Sequence, residues 1–434
     1  MRNSPLVLLL ILALALTAAA QDRALSDGFV GCSTSDSAYP FDLDSHTAGA
    51  SIDLLPEGNY PYDATITPDG SQVWIVGASG DGVIVIDRET NTIVQQFAVA
   101  DYAIGVAFNQ DGDRAFITSR DDEVMKIIDT ATYAEVGELA IPTSYLGAGN
   151  IALDPVSGNL YVVDWYNDDL HEVAGDGSAV LRSADFGTNL WQVVVAPDGE
   201  HVYVTDRGED QVVEISTDTF LITRTFAVGD DPWGLDITAD GTALVVSCED
   251  SSEAYLIDLV GGGIIPIALD ASADPRDVDI LDDAGLAFVA GGSVTGYTAA
   301  VYVIDLETAM VVDTFDGPGT NSNVVAVQAQ MAGGLTPVEP TPAAVARLTA
   351  YPNPFNPQVT ISLALDRELR GTLTVHDLAG RQVRTLAEGA FAAGDQSFAW
   401  NGRDAAGRSL PSGVYLVRLR GGGVELRHKI VLMQ

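Results

Sequence analysis

The stretch YDATITPDGSQVWIVGASGDGVIVID, residues 62–87, contains three apolar runs separated by short groups of turn-forming residues. Runs that are rich in Val, Ile and aromatic residues and bounded by Gly, Asp or Asn predict β-strands. Residues 92–99 add a fourth run of the same kind. The segment therefore predicts a unit of four strands, with a tight turn at Asp69-Gly70 between the first strand and the second.

The same unit recurs along the chain at a nearly constant interval. Related turns with the sequences TPDG, NQDG, APDG and TADG end at Gly70, Gly112, Gly199 and Gly241. With three further glycines in corresponding places, the steps are 42, 42, 46, 41, 42 and 44 residues between Gly28, Gly70, Gly112, Gly158, Gly199, Gly241 and Gly285. A repeat of about 40–45 residues with four short strands is typical of a β-propeller, so we expect an all-β fold.

The two ends of the repeat array predict one shared blade. Residues 29–33, 38–44 and 50–55 supply a second, third and fourth strand without a first, and residues 323–330 (NVVAVQAQ) supply a first strand alone. We expect residues 323–330 to pair with residues 29–33, because this closes a ring of seven blades and removes the exposed sheet edges. Six blades followed by a stray strand is the alternative.

Composition divides the chain into four parts. Residues 1–20, with Arg2, an apolar run and the small residues TAAA, predict a secretory signal peptide. Residues 21–333 form the predicted propeller, and residues 334–346 form a Pro-rich linker. Residues 347–434 alternate strands with Gly turns, which predicts a small Ig-like β-sandwich. The apolar run is shorter than the roughly 20 residues that span a bilayer, so no transmembrane segment is expected in the mature chain.

The chain is strongly acidic, with 61 acidic and 21 basic residues and a formal net charge of -40. Such a surface repels phosphate backbones, which argues against nucleic acid as a partner. Acidic loops after the second strands, at residues 120–123, 164–169, 206–210 and 248–250, could hold surface Ca²⁺, an ion that takes several oxygen ligands. None of these loops has the spacing of a calcium-binding loop. Solvated acidic turns are therefore the favoured interpretation, and no cofactor is expected.

The sequence offers few groups for catalysis. It contains five histidines and two cysteines, without a G-x-S-x-G, P-loop, H-E-x-x-H or C-x-x-C motif. His46, His171 and His201 fall in three different repeats, where we expect solvated turn residues. Cys32 and Cys248 take equivalent positions in non-adjacent blades, too far apart for a disulfide, and are expected to be buried thiols. These residues favour a non-catalytic protein.

A candidate site lies at the start of the inner strands, which should surround the mouth of the central channel. Equivalent positions there hold Tyr62, Ile104, Gly149, Trp191, Trp233, Arg276 and Asn323. Aromatic rings and a guanidinium group that converge on a concavity are typical of ligand sites, so all of these except Ile104 and Gly149 are predicted to bind a ligand. Tyr60, Tyr102 and Tyr145 lie close by in the sequence. The alternative is that the aromatic side chains pack between blades.

Two resemblances follow from these motifs. The PDG turns, the second strand VYVTD at 202–206 and the third strands VIVID and VYVID resemble the YVTN family of surface and periplasmic repeat proteins. The tail resembles the Ig-like domain related to the flagellar hook-capping protein and the type A sorting domains of the type IX secretion system. The residues that carry this likeness are NPFNP at 353–357, DLAGR at 377–381, WNGRD at 400–404 and SGVY at 412–415. The second resemblance implies export across an outer membrane, and use as a plain structural module is the alternative.

These observations together predict a secreted or cell-surface, non-catalytic propeller that recognises a glycan, a peptide or a small carboxylate. We expect a monomer outside the cell or at its outer surface, which contacts the secretion machinery through the C-terminal domain. Some seven-bladed propellers with similar repeats resemble lactonase- or lyase-type enzymes that use His, Glu and Arg in the channel, and this is the alternative function. Arg276 fits that alternative, whereas no His falls in a predicted inner strand.

Overall fold

The computed structural model describes residues 27–432 apart from residues 44, 56–59, 79–81, 143–146, 271–272, 293–298, 318, 320–321, 328–345, 352–354, 356–357, 366–368, 378–380, 393, 404–407, 412 and 422–423. The regular secondary structure of the described part consists of β-strands, and no helix there is long and apolar enough to cross a membrane. The chain separates into two compact units, Met1–Ala332 and Gly333–Gln434. The predicted signal peptide and the predicted linker up to residue 345 lie outside the described residues.

Strands β1 to β16 build the first four blades of the N-terminal unit. Blade 1 contains β1 (Asp27–Cys32), β2 (Ser37–Asp42), β3 (Thr47–Ala48) and β4 (Ile52–Asp53). Blade 2 contains β5 (Pro61–Ile66), β6 (Gln72–Gly77), β7 (Gly82–Asp87) and β8 (Thr92–Ala98). Blade 3 contains β9 (Ala103–Phe108), β10 (Arg114–Ser119), β11 (Val124–Asp129) and β12 (Ala134–Ala140). Blade 4 contains β13 (Ala148–Leu153), β14 (Leu160–Asp164), β15 (Asp169–Val173) and β16 (Val180–Asp185).

Strands β17 to β28 build the other three blades. Blade 5 contains β17 (Leu190–Val195), β18 (His201–Asp206), β19 (Gln211–Ser216) and β20 (Ile222–Ala227). Blade 6 contains β21 (Pro232–Ile237), β22 (Ala243–Cys248), β23 (Glu253–Asp258) and β24 (Ile264–Ala268). Blade 7 contains β25 (Val278–Leu281), β26 (Leu286–Gly292), β27 (Ala299–Asp305) and β28 (Met310–Asp316). The last strand of this unit, β29 (Ser322–Ala326), returns to blade 1.

Strand β29 closes the ring as predicted. It pairs antiparallel with β1, with Phe29 opposite Ala326 and Val30 opposite Val325. Blade 1 therefore has the order β29-β1-β2-β3, and its outermost strand is split because β4 also pairs with β2. The described part of this unit contains seven antiparallel sheets. The seven-bladed propeller is confirmed, and the alternative of six blades with a stray strand is wrong.

The repeating glycines are turn residues at six of their seven positions. Six of them have φ values between 67° and 76°, namely Gly70, Gly112, Gly158, Gly199, Gly241 and Gly285. Residues with a Cβ atom adopt this left-handed conformation rarely. Gly28 differs because it lies within β1, where a Cβ atom would come within 2.4 Å of Cζ of Phe41. Close packing, rather than turn geometry, requires glycine at this position.

Apolar side chains fill the spaces between neighbouring blades. In blade 2 the second and third strands are buried almost throughout, whereas the outermost strand β8 alternates between exposed and partly buried residues. Where the ring closes, Tyr39 and Phe41 of blade 1 pack in one core with Phe288 and Val301 of blade 7. Because each blade is covered by its neighbours, the hydrophobic stabilisation of every blade depends on an intact ring.

The second unit is a sandwich of two antiparallel sheets. Its strands are β30 (Ala346–Tyr351), β31 (Val359–Leu365), β32 (Leu369–Asp377), β33 (Gln382–Phe391), β34 (Gly394–Trp400), β35 (Gly413–Gly421) and β36 (Val424–Leu432). The sheet orders are β30-β31-β34 and β33-β32-β35-β36. Trp400 lies in the core of this unit, 5.5 Å from Phe355 and 5.3 Å from Tyr415 between ring centres. The predicted Ig-like sandwich is confirmed.

Candidate functional site at the channel mouth

Aromatic side chains from non-adjacent blades meet at one end of the channel. Tyr62 on β5 of blade 2 lies 5.8 Å from Trp191 on β17 of blade 5, measured between ring centres. Trp191 in turn lies 4.3 Å from Trp233 on β21 and 4.6 Å from Trp165, which follows β14. We call these four residues the aromatic cluster. Blades 2 and 5 are not neighbours in the ring, so the contact between Tyr62 and Trp191 crosses the channel and is not packing between adjacent blades.

Polar side chains of the preceding blade hold the backbone of the inner strands at this mouth. Asn150 donates a hydrogen bond from Nδ2 to the carbonyl oxygen of Trp191 at 3.0 Å. The hydroxyl group of Ser247 donates to the carbonyl oxygen of Arg276. Both donor side chains are buried. Because a buried carbonyl group without a partner costs free energy, these bonds keep the mouth residues in register between blades.

The rings of the aromatic cluster differ in how far they are exposed to solvent. Trp191 is only 4% exposed and forms the floor of the cluster, whereas Tyr62 and Trp233 are partly exposed. Tyr60 and Tyr102 extend the aromatic surface, at 5.9 and 6.0 Å from Tyr62 between ring centres. A ligand at the mouth would therefore contact Tyr62 and Trp233 directly, with Trp191 beneath them.

Two arginines pack against the ring of Trp233. The guanidinium carbon of Arg207 lies 4.1 Å from the ring centre, and that of Arg276 lies 4.5 Å from it. Arg207 donates from Nε and Nη2 to the two carboxylate oxygens of Asp231, at 2.5 and 2.6 Å. Arg276 donates from Nη2 to Oε1 of Glu249 at 2.6 Å. Charge-assisted hydrogen bonds and contact with the ring together fix both guanidinium groups at the mouth.

Glu249 links the two arginines. Its Oε1 accepts the bond from Arg276, and its Oε2 lies 3.9 Å from Nη2 of Arg207. Oε2 is buried and accepts no hydrogen bond from the described residues, while the carboxyl group of Asp274 lies beside Glu249. Burial raises the pKa of Glu249 to about 7, an effect that Arg276 opposes and Asp274 increases. The pKa of Glu249 is therefore held well above the usual range of a carboxyl group by its surroundings.

The structure brings four of the five predicted ligand-binding residues together, namely Tyr62, Trp191, Trp233 and Arg276. The fifth residue, Asn323, is placed differently. It is buried on β29 and donates from Nδ2 to the carbonyl oxygen of Pro61 at 2.9 Å. Its side chain thus joins blade 1 to blade 2. Of the tyrosines near the predicted mouth, Tyr145 lies outside the described residues.

Arg207 and Glu249 are site residues that sequence reasoning missed, because it assigned both to solvated acidic turns. Each is the first residue after the second strand of its blade, and Arg120 and Trp165 hold the same position in blades 3 and 4. The backbone of this position is fixed, since Glu249 donates its N–H to the carbonyl oxygen of Asp231 at 3.0 Å. A second set of equivalent positions therefore lies at the mouth, and the repeat alone could have identified it.

The interpretation as solvated turns is also wrong for Asp164 and Asp206, both of which are fully buried. Oδ1 of Asp164 accepts hydrogen bonds from the backbone N–H groups of Tyr166 and Asn167, at 3.1 and 3.0 Å. Oδ1 of Asp206 accepts one from the N–H of Thr188 at 3.0 Å. These carboxylates stabilise the turns that carry the mouth residues.

Histidine and cysteine side chains are built into the fold. His171, predicted to be a solvated turn residue, is fully buried on β15, with Nδ1 2.7 Å from Oγ of Ser183. Cys32 and Cys248 are free and buried, as predicted. Among the described residues, no group of three or more His, Cys, Asp or Glu side chains is arranged to hold a metal ion.

A cavity of about 350 Å³ lies along the inner strands, and its lining includes Asp63, Asp236, Asp277 and Asp279. These carboxyl groups accept hydrogen bonds from inner-strand N–H groups of the next blade. Asp63 accepts one from Val106 and Asp236 accepts one from Ile280, both at 2.8 Å. Burial raises the pKa of Asp63 to about 6 and that of Asp236 to about 7, and the pKa values of Asp277 and Asp279 are also raised. The aspartates thus join neighbouring blades through their carboxyl groups.

The fold and the mouth geometry define a seven-bladed β-propeller with an aromatic, arginine-flanked mouth, followed by an Ig-like domain. Comparisons with known families agree with this architecture. The family "Lactonase, 7-bladed beta-propeller" matches residues 178–261, and the FlgD Ig-like domain matches residues 355–422. The first match contains four of the mouth residues, namely Trp191, Arg207, Trp233 and Glu249.

Solved structures with a similar fold include two proteins of low sequence identity. A functionally unknown protein from Desulfotomaculum acetoxidans is 16% identical, with a TM-score of 0.59, over 70% of this chain and 99% of that chain. Hydrazine synthase from Kuenenia stuttgartiensis is 17% identical, with a TM-score of 0.50, over 57% of this chain and 77% of that chain. At these identities the likeness concerns the fold alone. No curated protein matches the chain.

Proposed function

We propose that this chain is a secreted or cell-surface propeller that recognises a small ligand at the aromatic cluster without changing it chemically. The observation that carries the proposal is the contact between Tyr62 and Trp191 across the channel, which joins rings from separate blades into one surface. Partly exposed rings beside ordered charged groups offer both apolar contact and hydrogen bonds. A glycan, a peptide or a small carboxylate would use both kinds of contact.

The location is part of the same proposal and rests on the sequence. The N-terminal residues have the pattern of a signal peptide, and the repeats resemble those of YVTN surface proteins. The match of residues 355–422 to the FlgD Ig-like domain supports an Ig-like module. We infer its role in type IX sorting or surface attachment from the resemblance of residues 353–357, 377–381, 400–404 and 412–415 to type A sorting domains. The proposed protein is a monomer at the outer surface or outside the cell.

Ligand profiling with the full chain tests recognition at the mouth. Glycans, peptides and small carboxylates are screened first, and the Kd of each hit is then measured for wild type and for Trp233→Ala. We expect a loss of about tenfold or more, since truncation of a central aromatic contact typically costs at least 1.4 kcal/mol. Trp233 is the better target because Trp191 is buried, and its truncation would also destabilise the fold.

Tyr166→Ala is the matched control for this test. Tyr166 is 59% exposed and lies beside Trp165 in the loop after β14. This variant should bind as the wild type does. Wild-type affinity in both Trp233→Ala and Tyr62→Ala, with circular dichroism spectra that show folded protein, would contradict recognition at the aromatic cluster.

A lactonase- or lyase-type reaction is the second candidate function. The Lactonase family match over residues 178–261 favours it, together with the position of Glu249 beside Arg276. A carboxyl group with a pKa of about 7 can exchange a proton at neutral pH, as general acid–base catalysis requires. The full chain is assayed against a panel of lactones. If the wild type turns over a lactone and Glu249→Gln abolishes that activity, catalysis would replace recognition as the function. If no lactone is turned over, the proposal of recognition without catalysis stands.

A further inference from the structure

The carboxylate of Glu249 occupies the space between two guanidinium groups at the mouth, 2.6 Å from Arg276 and 3.9 Å from Arg207. Both guanidinium groups lie against Trp233. The two arginines are therefore already spaced to hold a carboxylate beside an aromatic ring. We propose that the mouth binds a small ring-bearing carboxylate, which takes the place of Glu249 between Arg207 and Arg276 while Glu249 takes up a proton from solvent. This inference rests on the proposed function, because it names the ligand class of the same site.

The charge balance of the mouth favours this exchange. The groups that face one another come from four segments: the turn after β18, the residue before β21, the turn after β22 and the segment before β25. They are Arg207, Asp231, Glu249, Asp274 and Arg276. With Glu249 ionised, the carboxylates outnumber the guanidinium groups, and a further anion would be repelled. With Glu249 protonated, the charges balance, so an incoming carboxylate meets less repulsion.

The hydrogen bonds of Glu249 favour the same exchange. Its Oε2 is buried and accepts no hydrogen bond from the described residues, and the carboxyl group of Asp274 is a neighbour of the Glu249 side chain. An ionised carboxylate has no proton to donate to Asp274, whereas a protonated one has an O–H group that can. A buried charged oxygen without a hydrogen bond is costly. Proton uptake therefore gives Glu249 a hydrogen-bond donor and removes one negative charge in the same step.

Titration calorimetry of the full chain with benzoate and with D-glucuronate tests the inference, and D-glucose is the uncharged counterpart. Measurements are made at about pH 6 and about pH 8.5, where both acids stay ionised because carboxylic acids titrate near pH 4. We expect at least one acid to bind about tenfold or more tightly at the lower pH, because binding is linked to one proton. At the higher pH, the heats in buffers of different ionisation enthalpy should show that proton being taken up. D-Glucose should show no pH dependence.

Glu249→Gln imitates the protonated side chain at nearly the same size. This variant should bind the acid at the higher pH as tightly as wild type does at the lower pH, without proton uptake. Glu209→Gln is the matched control. Glu209 is exposed in the turn after β18, so its replacement removes the same charge from a neighbouring loop. The control variant should keep the pH dependence of the wild type.

Equal affinity of wild type for the acids at both pH values would overturn the inference. The inference would also be overturned if the affinity of Glu249→Gln for the acids still depended on pH, or if neither acid bound this variant. The proposed function has a separate readout. If a neutral ligand binds and Trp233→Ala removes that binding, recognition at the mouth stands and only the ligand class is wrong.

Discussion

The carboxyl group of Asp236 joins two blades, and its contribution to the stability of the fold depends on pH. Its Oδ2 accepts the N–H of Ile280 at 2.8 Å, which ties blade 6 to blade 7, and its carboxyl group also lies against that of Asp279. Burial raises its pKa from 3.8 to about 7. A carboxyl group whose pKa is raised on folding stabilises the fold when it is protonated. Its contribution is complete below pH 4 and is lost as the pH rises toward 7.

Asp236→Asn should remove this loss of stability at higher pH, because an asparagine side chain can accept the hydrogen bond from the same N–H group and cannot ionise. The free energy of unfolding of the variant, relative to wild type, should increase by roughly 1–2 kcal/mol between about pH 5 and about pH 8. Urea unfolding of the full chain, followed by tryptophan fluorescence, measures this change. Asp283→Asn, at an exposed turn position, controls for the removed charge. An equal gain in both variants would show that general charge repulsion, rather than the channel carboxyl group, causes the effect.

At the scale of the element, β29 holds the ring together through contacts with three blades. It pairs with β1 inside blade 1. The N–H groups of Val325 and Val327 donate to Asp277 and Asp279 of blade 7, at 2.9 and 2.6 Å. Asn323 joins the strand to blade 2 through the carbonyl group of Pro61. The residues from Val324 to Val327 are buried. Many of the contacts that close the ring are therefore made by this short strand.

Truncation of the chain after residue 321 should therefore destabilise the propeller strongly. Loss of the buried side chains of β29 is expected to lower the free energy of unfolding by roughly 5 kcal/mol, at about 1.5–3 kcal/mol for each large apolar side chain. Truncation after residue 333 removes the tail and keeps the strand, so it is the control. Urea unfolding compares the two proteins. Identical midpoints would mean that β29 contributes little to closure.

At the scale of the whole molecule, the two compact units have separate cores. The described part of the buried apolar cluster in the C-terminal unit consists of residues between Phe355 and Leu432. The cores of the propeller are likewise made of residues from its own blades. Because hydrophobic burial is the main source of stability, each unit should fold without the other.

Residues 21–333 expressed alone should accordingly give a soluble, folded propeller. Its melting temperature should match that of the propeller transition in the full chain, measured by circular dichroism or calorimetry. Limited proteolysis of the full chain should cleave first in the Pro-rich segment between the units. Loss of the tail should also prevent export to the cell surface. An aggregated propeller, beside a soluble full chain, would show that the tail is needed for folding and would remove the main support for a sorting role.

Much of the fold was predictable from local features of the chain. The glycine spacing, the turn sequences and the alternating apolar runs predicted the all-β class, the seven blades and the pairing of β29 with β1. Equivalent positions in the repeat also predicted that Tyr62, Trp191 and Trp233 share one end of the channel. These features are readable because turn conformation and strand alternation depend on residues that are close in the sequence.

The sequence by itself thus determined the blade count, the closure, the Ig-like tail and the ring of mouth positions. Only the tertiary structure decided which side chains meet. Asn323 binds the carbonyl oxygen of Pro61, Glu249 lies beside two arginines, and Asp236 lies against Asp279. The physical reason is that these contacts join different blades or cross the channel. Their distances depend on how the blades pack around the ring and on the direction of each side chain, and neither is encoded in the local repeat.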